Sequence, residues 1–310
     1  MKERTMNILV TGVNGQLGHD VMNELIGRGL KATGSDLTPT FQGLKDATAV
    51  TQAPYVAMDI TQTQMVEDAL AAIQPDAVVH CAAWTAVDAA EDEDKREKVY
   101  LVNATGTEQI ARACKKLGCK MMYISTDYVF NGQGEAPWQP DSTDFAPLNV
   151  YGRTKLAGEQ AVKQFLAEYF IVRIAWVFGS SGNNFVKTML RLGQTHDTLR
   201  VVNDQIGTPT YTFDLARLLV DMIQTEKYGT YHATNEGGYI SWYDFACEIF
   251  RQAGYPTHVI PVTTAEYGLS KAKRPYNSRL DRSKLIQMGF EPLPDWKDAL
   301  KRYLSGSPVV

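Results

Sequence analysis

Tyr151 and Lys155 stand four residues apart and could carry out proton chemistry together. On a helix, positions i and i+4 share a face, so the phenol and the ammonium group would point into the same space. A tyrosine normally has a pKa of about 10, too high for ready proton exchange at neutral pH. A neighbouring lysine cation favours the phenolate and is expected to lower that pKa. The pair therefore predicts a general acid that protonates a carbonyl oxygen.

A hydroxyl group is predicted close to this pair. Thr126 ends an apolar, strand-like run in the sequence Ser125-Thr126-Asp127. It could hydrogen-bond the substrate oxygen and orient it towards Tyr151. A YxxxK pair is common by chance, and the presence of Thr126 and of a glycine-rich turn in the right order makes the pattern more specific. Thr126, Tyr151 and Lys155 are the candidate catalytic residues.

The glycine-rich turn has the sequence TGVNGQLG over residues 11–18, between a predicted strand and a predicted helix. Gly12, Gly15 and Gly18 follow a GxxGxxG spacing, which permits a tight turn, close approach of a pyrophosphate and close helix–strand packing. The helix N-terminus then offers unpaired N–H groups to the phosphates. The turn predicts a dinucleotide cofactor, NADH or NADPH.

Asp36 lies at the end of the second predicted strand, where an acid can hold the adenine ribose hydroxyls. An acid there repels the additional phosphate of NADP, and no arginine or lysine follows until Lys45. This favours NADH mildly, and a solvated strand-end aspartate is the alternative. Cofactor preference stays open.

Further candidate contacts lie where predicted parallel strands end, which is where open α/β sheets bind ligands. Asp59 and Ile60 follow the third strand, and residues 81–85 follow the fourth. Ala82 and Ala83 are small enough for a cofactor to lie against the backbone.

The elements that would position these side chains alternate through the first half of the chain. Strands are predicted at residues 7–11, 31–35, 55–58, 76–80, 120–125 and 170–175. Helices are predicted at residues 16–28, 63–73, 98–117 and 151–168. Apolar strands separated by helices indicate βαβ units and a parallel sheet covered on both faces. We therefore predict an α/β fold, a Rossmann-type doubly wound parallel sheet with a smaller mixed α/β C-terminal domain.

Two domains are predicted, 1–176 for dinucleotide binding and 177–310 for the substrate. Beyond Trp176 glycine, asparagine and proline become frequent, and helices are predicted at residues 184–192, 213–224, 242–252 and 296–304. The boundary is soft, and exchange of a segment across it is allowed.

Composition excludes several function classes. The chain has 310 residues, a net charge of −4 and a hydrophobic fraction of 44%, which are typical of a soluble globular protein. A net negative charge argues against a nucleic-acid partner. No run of 18 apolar residues and no signal peptide is evident, so we expect a cytoplasmic protein with no membrane partner. The four cysteines form no CxxC pair, and no metal site is predicted.

The sequence resembles the extended short-chain dehydrogenases/reductases, and within them the dTDP-4-dehydrorhamnose reductase family. The residues that carry the resemblance span nearly the whole chain: 82–88 (AAWTAVD), 123–130 (YISTDYVF), 147–155 (PLNVYGRTK), 176–178 (WVF), 182–185 (GNNF), 203–210 (NDQIGTPT), 274–275 (RP) and 278–280 (SRL).

The resemblance implies NADH- or NADPH-dependent reduction of the C4 keto group of a nucleotide sugar, dTDP-4-dehydro-L-rhamnose. It implies Thr126, Tyr151 and Lys155 as the catalytic residues and Asp127, Tyr128 and Trp176 as substrate contacts. The cofactor contacts that it implies, together with those derived above, are Gly12, Gly15, Gln16, Leu17, Gly18, Asp36, Asp59, Ile60, Ala82, Ala83, Trp84, Thr85, Ile124, Tyr151 and Lys155.

Assembly and two rival functions stay open. Some relatives form homodimers through an acid-bound magnesium ion; the corresponding acid is Asp20, with no evident cluster around it, so a homodimer is left open and no metal is predicted. A nucleotide-sugar 4,6-dehydratase or 4-epimerase shares the glycine turn and YxxxK, but a dehydratase typically has Asp-Glu after the threonine, where this chain has Asp127-Tyr128. A non-catalytic regulatory relative is the other alternative.

Overall fold

The fold is taken from a computed structural model, which describes residues 5–306. The strands are β1 (Asn7–Thr11), β2 (Lys31–Asp36), β3 (Tyr55–Ala57), β4 (Ala77–His80), β5 (Lys120–Thr126), β6 (Tyr169–Ile174), β7 (Val177–Phe178), β8 (Thr198–Val202), β9 (Ile206–Gly207), β10 (Thr210–Tyr211), β11 (Gly229–His232), β12 (Asn235–Glu236), β13 (Ile240–Ser241), β14 (His258–Val262) and β15 (Leu293–Asp295).

The helices are α1 (Gln16–Gly27), α2 (Thr63–Ile73), α3 (Arg96–Tyr100), α4 (Thr107–Leu117), α5 (Val150–Phe165), α6 (Phe185–Gly193), α7 (Thr212–Ile223), α8 (Trp242–Ala253), α9 (Thr264–Tyr267), α10 (Ser283–Gln287) and α11 (Trp296–Leu304). A π-helical stretch, Leu101–Gly106, joins α3 to α4. No helix within residues 5–306 is long and apolar enough to cross a membrane.

A seven-stranded sheet forms the centre of the molecule, in the order β11-β6-β5-β4-β1-β2-β3. Every neighbouring pair in it is parallel. The strands are apolar and buried on both faces, as the runs of β1, β4 and β5 show. Helices α1 and α7 pack together in one apolar cluster, and α2, α4 and α5 cover another. The predicted Rossmann-type α/β fold is confirmed.

The carboxyl ends of these strands meet at one edge of the sheet. Chain connections after β1, β2, β3, β4, β5 and β6 leave there, and they carry the predicted glycine turn, Asp36, Asp59, Ala82, Thr126 and Trp176. The predicted strands all occur, with ends shifted by one residue at most. Helix α5 stops at Phe165 rather than at residue 168, because Leu166 turns the backbone to an extended conformation.

One strand of the central sheet comes from the second half of the chain. β11 pairs with β6, from Gly229 opposite Phe170 to His232 opposite Arg173, and the sequence analysis does not predict it. Helix α7, also beyond residue 176, packs against α1. Two segments from beyond residue 176, β11 and α7, are thus part of the Rossmann layer. The division into domains 1–176 and 177–310 stays a prediction.

The remaining elements form a smaller mixed layer beside the sheet. Helices α6, α8 and α11 pack around a cluster of aromatic and aliphatic side chains that includes Phe178, Phe245 and Trp296. Two short strand pairs, β10 with β7 and β13 with β9, lie outside the central sheet.

Candidate active site

A cavity of about 810 Å³ opens at the carboxyl edge of the central sheet. Its walls include every predicted catalytic and substrate residue and every predicted cofactor residue but one. These are Gly12, Gly15, Gln16, Leu17, Gly18, Asp36, Asp59, Ile60, Ala82, Ala83, Thr85, Ile124, Thr126, Asp127, Tyr128, Tyr151, Lys155 and Trp176. We call the part around Gly12, Gly15 and Gly18 the glycine end. The part around Tyr128, Trp176, Trp242 and Arg274 is the tryptophan end.

Each glycine of the turn is required for a different reason. Gly12 has φ +74, and a Cβ on it would lie 2.6 Å from the Ala82 nitrogen. A Cβ on Gly18 would lie 2.3 Å from the Gly12 carbonyl oxygen, so this glycine lets α1 pack against the turn. A Cβ on Gly15 would meet only that same oxygen, at 3.2 Å, among residues 5–306. Gly15 thus presents bare backbone, as close approach of a pyrophosphate requires.

Helix α1 begins directly behind this backbone and points its N-terminus into the cavity. The N–H groups of its first turn have no partner within the helix, and Gln16, Leu17 and Gly18 carry no negative charge. Backbone N–H groups and the positive end of the helix dipole favour an anion at this place. The glycine end therefore fits the diphosphate of a dinucleotide.

Asp36 is held at the end of β2 by two backbone amides. Its Oδ2 accepts a hydrogen bond from the Asn14 N–H (2.9 Å) and its Oδ1 from the Leu37 N–H (2.8 Å). The Asn14 side chain continues this link, accepting from the Gln42 N–H and donating to Thr38. The carboxylate is thus fixed at the cavity wall rather than free in solvent.

Trp84 is the predicted cofactor residue that does not line the cavity. Its backbone N–H donates to the Asn103 side chain at 2.8 Å and its carbonyl accepts from that side chain at 3.1 Å, while its indole donates to the Ala86 carbonyl oxygen at 3.1 Å. The ring packs with Ala90, Val99 and Val150 instead. The neighbouring Ala83 and Thr85 do reach the cavity.

The start of α5 is fixed by two side chains that satisfy its backbone. Asn149 caps the helix, with Oδ1 accepting from the Gly152 N–H at 2.8 Å, and Glu91 accepts from the Val150 N–H at 2.7 Å. A Cβ on Gly152 would lie 2.3 Å from the Tyr128 carbonyl oxygen, so this glycine brings the helix directly against the segment after β5. The first turn of α5, which carries Tyr151, is thereby held close to the segment that follows Thr126.

Farther along α5, a buried ion pair anchors the helix to the sheet. Both oxygens of Glu159 accept from the Arg173 guanidinium, at 2.8 and 2.7 Å, and Ser125 donates to the same carboxylate at 2.6 Å. Arg173 lies on β6 and Ser125 on β5, next to Thr126. Two strands and the helix are therefore fixed relative to one another behind the candidate catalytic residues.

The phenol of Tyr151 is buried beside Asp127 and Thr126. Burial and the Asp127 charge hold the pKa of Tyr151 well above its usual range, and the Thr126 hydroxyl offsets part of that rise. The expectation that the pKa of Tyr151 is lowered is wrong for the structure, because burial raises it. Tyr151 is accordingly a protonated phenol at neutral pH and a competent proton donor once charge develops on a bound oxygen.

Lys155 lies one helical turn after Tyr151 on α5, and its side chain is buried. Its Nζ donates to the Ile124 carbonyl oxygen at 2.7 Å and stands 4.2 Å from the centre of the Tyr123 ring. Burial lowers the pKa of Lys155 to about 7, while the Glu159 charge acts in the opposite direction. Its charge state thus changes near neutral pH.

Asp127 is a buried carboxyl group that lines the cavity together with the candidate catalytic residues. Burial raises its pKa to about 6, and the Ser278 and Thr126 hydroxyls offset part of that rise. Thr126 donates to its Oδ1 at 3.0 Å. Within residues 5–306, its Oδ2 has no hydrogen bond of ordinary geometry.

At the tryptophan end the structure adds residues that the sequence analysis did not single out as site residues. Trp242 stacks on Trp176 with ring centres 3.8 Å apart. Arg274 ion-pairs with Asp88 and donates to the Tyr128 hydroxyl at 3.3 Å. Apart from Lys155, Arg274 is the only cation among the described residues that line the cavity. Its signal was the RP pair at residues 274–275, which the sequence analysis used for resemblance alone.

Asp20, the acid considered for magnesium, is buried in α1. It accepts from the Thr212 hydroxyl and contacts the imidazole of His19 at 3.0 Å. Among residues 5–306 no group of three or more His, Cys, Asp or Glu side chains is placed to hold a metal ion.

Comparison with known proteins gives consistent matches over nearly the whole chain. Residues 6–307 match the family model described as "RmlD substrate binding domain". A dTDP-4-dehydrorhamnose reductase of Escherichia coli K12 is 39% identical over 312 residues, covering 97% of each chain.

Two solved structures bear the same name. The reductase of Bacillus anthracis in complex with NADP is 38% identical, with a TM-score of 0.87 over 98% of this chain and 100% of that one. The Clostridium acetobutylicum ortholog is 41% identical, with a TM-score of 0.86 over 97% and 99%.

Proposed function

The chain belongs to the RmlD substrate binding domain family, and from this premise we propose that it reduces dTDP-4-dehydro-L-rhamnose at C4 to give dTDP-L-rhamnose, with NADH or NADPH. This is the last step of dTDP-rhamnose synthesis for cell-surface polysaccharide. One observation carries the proposal: Tyr151, Lys155 and Thr126 lie in a single cavity, between a glycine end suited to a dinucleotide and a tryptophan end suited to a sugar nucleotide.

The residues present fit a nicotinamide dinucleotide. Gly15 and the first turn of α1 would hold its diphosphate, and Asp36 would accept hydrogen bonds from its ribose hydroxyls. Ala82 and Ala83 line the cavity beside these groups, and their short side chains leave room for the cofactor. When bound, the cofactor supplies the hydride equivalent that reduces the C4 carbonyl.

Tyr151 is the proton donor in the proposed mechanism. Negative charge grows on the C4 oxygen as the carbonyl is reduced, so an acid placed there acts on the transition state more than on the ground state. The high pKa of the buried phenol keeps the proton on Tyr151 until that charge develops. Thr126, whose hydroxyl donates to Asp127 in the structure, would turn that hydrogen bond to the same oxygen when the substrate is bound.

Lys155 has the role of a nearby positive charge. A protonated ammonium group beside Tyr151 favours the phenolate that remains after proton transfer. Because its pKa is lowered to about 7 by burial, a bound anion nearby would help to keep it charged. The Ile124 carbonyl, which accepts from its Nζ, orients the group.

The tryptophan end would receive the nucleotide sugar. Arg274 supplies a guanidinium group for a phosphate of the substrate. Its ion pair with Asp88 holds the guanidinium group in place before the substrate binds. Tyr128, Trp176 and Asp127 supply aromatic surface and a hydrogen-bonding carboxyl group at the sugar.

The chain is also proposed to work in the cytoplasm, which agrees with its four free cysteines. A homodimer stays one alternative for its assembly.

A nucleotide-sugar dehydratase or epimerase is the second candidate. A dehydratase of this superfamily typically carries a second acid after Asp127, and this chain has Tyr128, whose hydroxyl bonds Arg274 instead. An epimerase retains its cofactor through a turnover, whereas a reductase consumes one cofactor for each product.

The decisive experiment follows cofactor oxidation by the purified protein with dTDP-4-dehydro-L-rhamnose and identifies the product. One NADH or NADPH consumed for each dTDP-L-rhamnose formed is the expected result. Product without net cofactor oxidation would indicate an epimerase, and no reaction with either cofactor would exclude the reductase assignment.

A further inference from the structure

Trp176 has a backbone conformation that bulky residues rarely adopt. Its φ is +50, in the left-handed region, at the turn between β6 and β7. Such a conformation persists only where the surroundings hold it, and it is found preferentially at functional sites. Here Thr210 on β10 fixes the turn: its N–H donates to the Trp176 carbonyl at 3.1 Å and its hydroxyl to the Ala175 carbonyl at 2.6 Å.

One face of the Trp176 indole is covered by Trp242. The two rings are nearly parallel, with an angle of 16° and centres 3.8 Å apart. Phe185 packs against Trp242 at 4.6 Å, so the second tryptophan cannot easily swing away. Trp242 is also the first residue of α8, whose start is fixed by a capping box between Ser241 and Asp244.

The Trp176 indole also rests directly on the backbone of Gly207. A Cβ on Gly207 would lie 2.8 Å from Cε2 and 3.0 Å from Nε1 of that indole, closer than carbon atoms approach without displacement. Gly207 does not have a positive φ, so its backbone conformation does not require glycine. Glycine is required at position 207 because a side chain there would collide with the Trp176 ring.

The two residues that hold the indole are parts of one small sheet. Gly207 ends β9, Trp242 follows β13, and the two strands are antiparallel, with Ile240 opposite Gly207 and Ser241 opposite Ile206. The pairing of these strands fixes the position of Trp242 relative to Gly207. The indole is therefore held by residues of one strand pair, and both Trp176 and Trp242 line the cavity.

We propose that Trp242 and Gly207 are positioning residues that lock Trp176 as a preformed wall for the sugar nucleotide at the tryptophan end. The inference rests on the proposed function for the identity of that ligand. A preformed wall spares the ordering of a large side chain when the substrate binds. Loss of the lock should therefore weaken substrate binding and leave the glycine end unaffected.

The test combines a spectroscopic signature with steady-state kinetics. Two stacked indoles give an exciton couplet in circular dichroism, which Trp176→Phe should abolish and which needs no substrate. Trp242→Leu should remove the couplet and raise KM for the sugar nucleotide about three- to tenfold, the size of a lost aromatic contact. KM for NADH should stay unchanged. Gly207→Ala should weaken the couplet and raise the same KM.

Matched variants separate positioning from general damage. Trp242→Phe keeps an aromatic ring against Trp176 and should restore most of the substrate KM although it lacks the couplet. Trp138→Phe removes a tryptophan that stacks on Phe130 outside the cavity, and Gly27→Ala adds a Cβ with no atom within 4 Å. Both controls should keep the couplet and both KM values.

The inference and the proposed function can fail separately. A wild-type protein that shows the couplet but does not reduce the sugar nucleotide contradicts the proposed function. Trp242→Leu or Gly207→Ala with a lost couplet and unchanged KM would overturn the positioning role. A couplet that survives Gly207→Ala would show that this glycine does not hold the ring. If Trp242→Leu does not fold, an unchanged substrate KM in Gly207→Ala decides against the proposal.

Discussion

The glycine end and the tryptophan end of the cavity are built in opposite ways. At the glycine end, the main chain of one short stretch, from Gly12 to the first turn of α1, forms the surface. At the tryptophan end, side chains arrive from separated segments: Tyr128, Trp176, Trp242 and Arg274 lie up to 146 residues apart. A backbone surface is specified by local steric rules, whereas a surface of side chains depends on packing across the whole molecule.

The difference predicts how each end responds to substitution. At the glycine end an added atom collides with backbone, which cannot move aside. At the tryptophan end a lost side chain removes one contact from a set that comes from different elements. We expect the first kind of change to affect stability together with cofactor binding, and the second to affect substrate binding alone.

The largest effect is expected where the two ends meet, at Tyr151. Tyr151→Phe keeps the ring and its edge contact with Tyr128 but removes the proton, so kcat should fall by about 10²–10⁴. KM for cofactor and for substrate should change little, because neither end is altered. Single-turnover rates would check this, with Tyr255→Phe, outside the cavity, as the control. A near-normal rate would mean that another group, such as Asp127 or water, delivers the proton.

Asp127→Asn should change how stability depends on pH. The folded-state pKa of about 6 lies above the unfolded value, so the folded protein binds more protons between about pH 4 and pH 6. Stability contributed by this group is present below about pH 4 and is lost as the pH rises through 6. Relative to wild type, the variant should therefore gain up to about 3 kcal/mol between these pH values.

Urea unfolding of both proteins across this pH range provides the measurement. Titration of Lys155 and of other groups is common to the two proteins and largely cancels in the difference. Parallel stability curves for Asp127→Asn and wild type would show that the buried carboxyl carries no such penalty.

Gly18→Ala tests the backbone construction of the glycine end. The new Cβ would lie 2.3 Å from the Gly12 carbonyl oxygen and 2.9 Å from the Val13 Cα, both main-chain atoms. Overpacking of this kind should lower the free energy of unfolding by about 1–3 kcal/mol and raise KM for NADH. Gly27→Ala on the same helix meets no atom within 4 Å and is the matched control. Normal stability in Gly18→Ala would show that α1 can shift at no cost.

The smallest effects are expected from one variant at each end of the cavity, and each variant should change KM for one ligand alone. Arg274→Met removes the charge proposed for the substrate phosphate and should raise KM for the sugar nucleotide about tenfold, or about 1.4 kcal/mol, with KM for NADH unchanged. Asp36→Ala should do the reverse, weakening NADH by a similar amount and NADPH less. Steady-state KM values for both ligands in both variants give the comparison. If either variant alters both KM values equally, the ends are coupled rather than independent.

The sequence by itself determined six of the seven strands of the sheet, the glycine turn and the candidate catalytic pair. Apolar runs separated by helical stretches specify parallel strands because both faces must be buried, and the carboxyl ends of those strands must meet at one edge. GxxGxxG and YxxxK are local patterns whose geometry follows from a turn and a helix face. Their placement in the structure agrees with what residue spacing predicts.

Other features of the fold and of the site were decided by the tertiary structure, and residue spacing alone does not predict them. β11 enters the central sheet as a four-residue strand with no apolar run, and it is recruited by pairing with β6. Trp84 stands between two residues that line the cavity, yet its ring packs with Ala90, Val99 and Val150 instead. The pKa of Tyr151 is raised rather than lowered, because burial and the Asp127 charge act on the phenol, and burial also lowers the pKa of Lys155 to about 7. Arg274 and Trp242 reach the site from far along the chain, and only the packing of the smaller layer against the sheet edge brings them there.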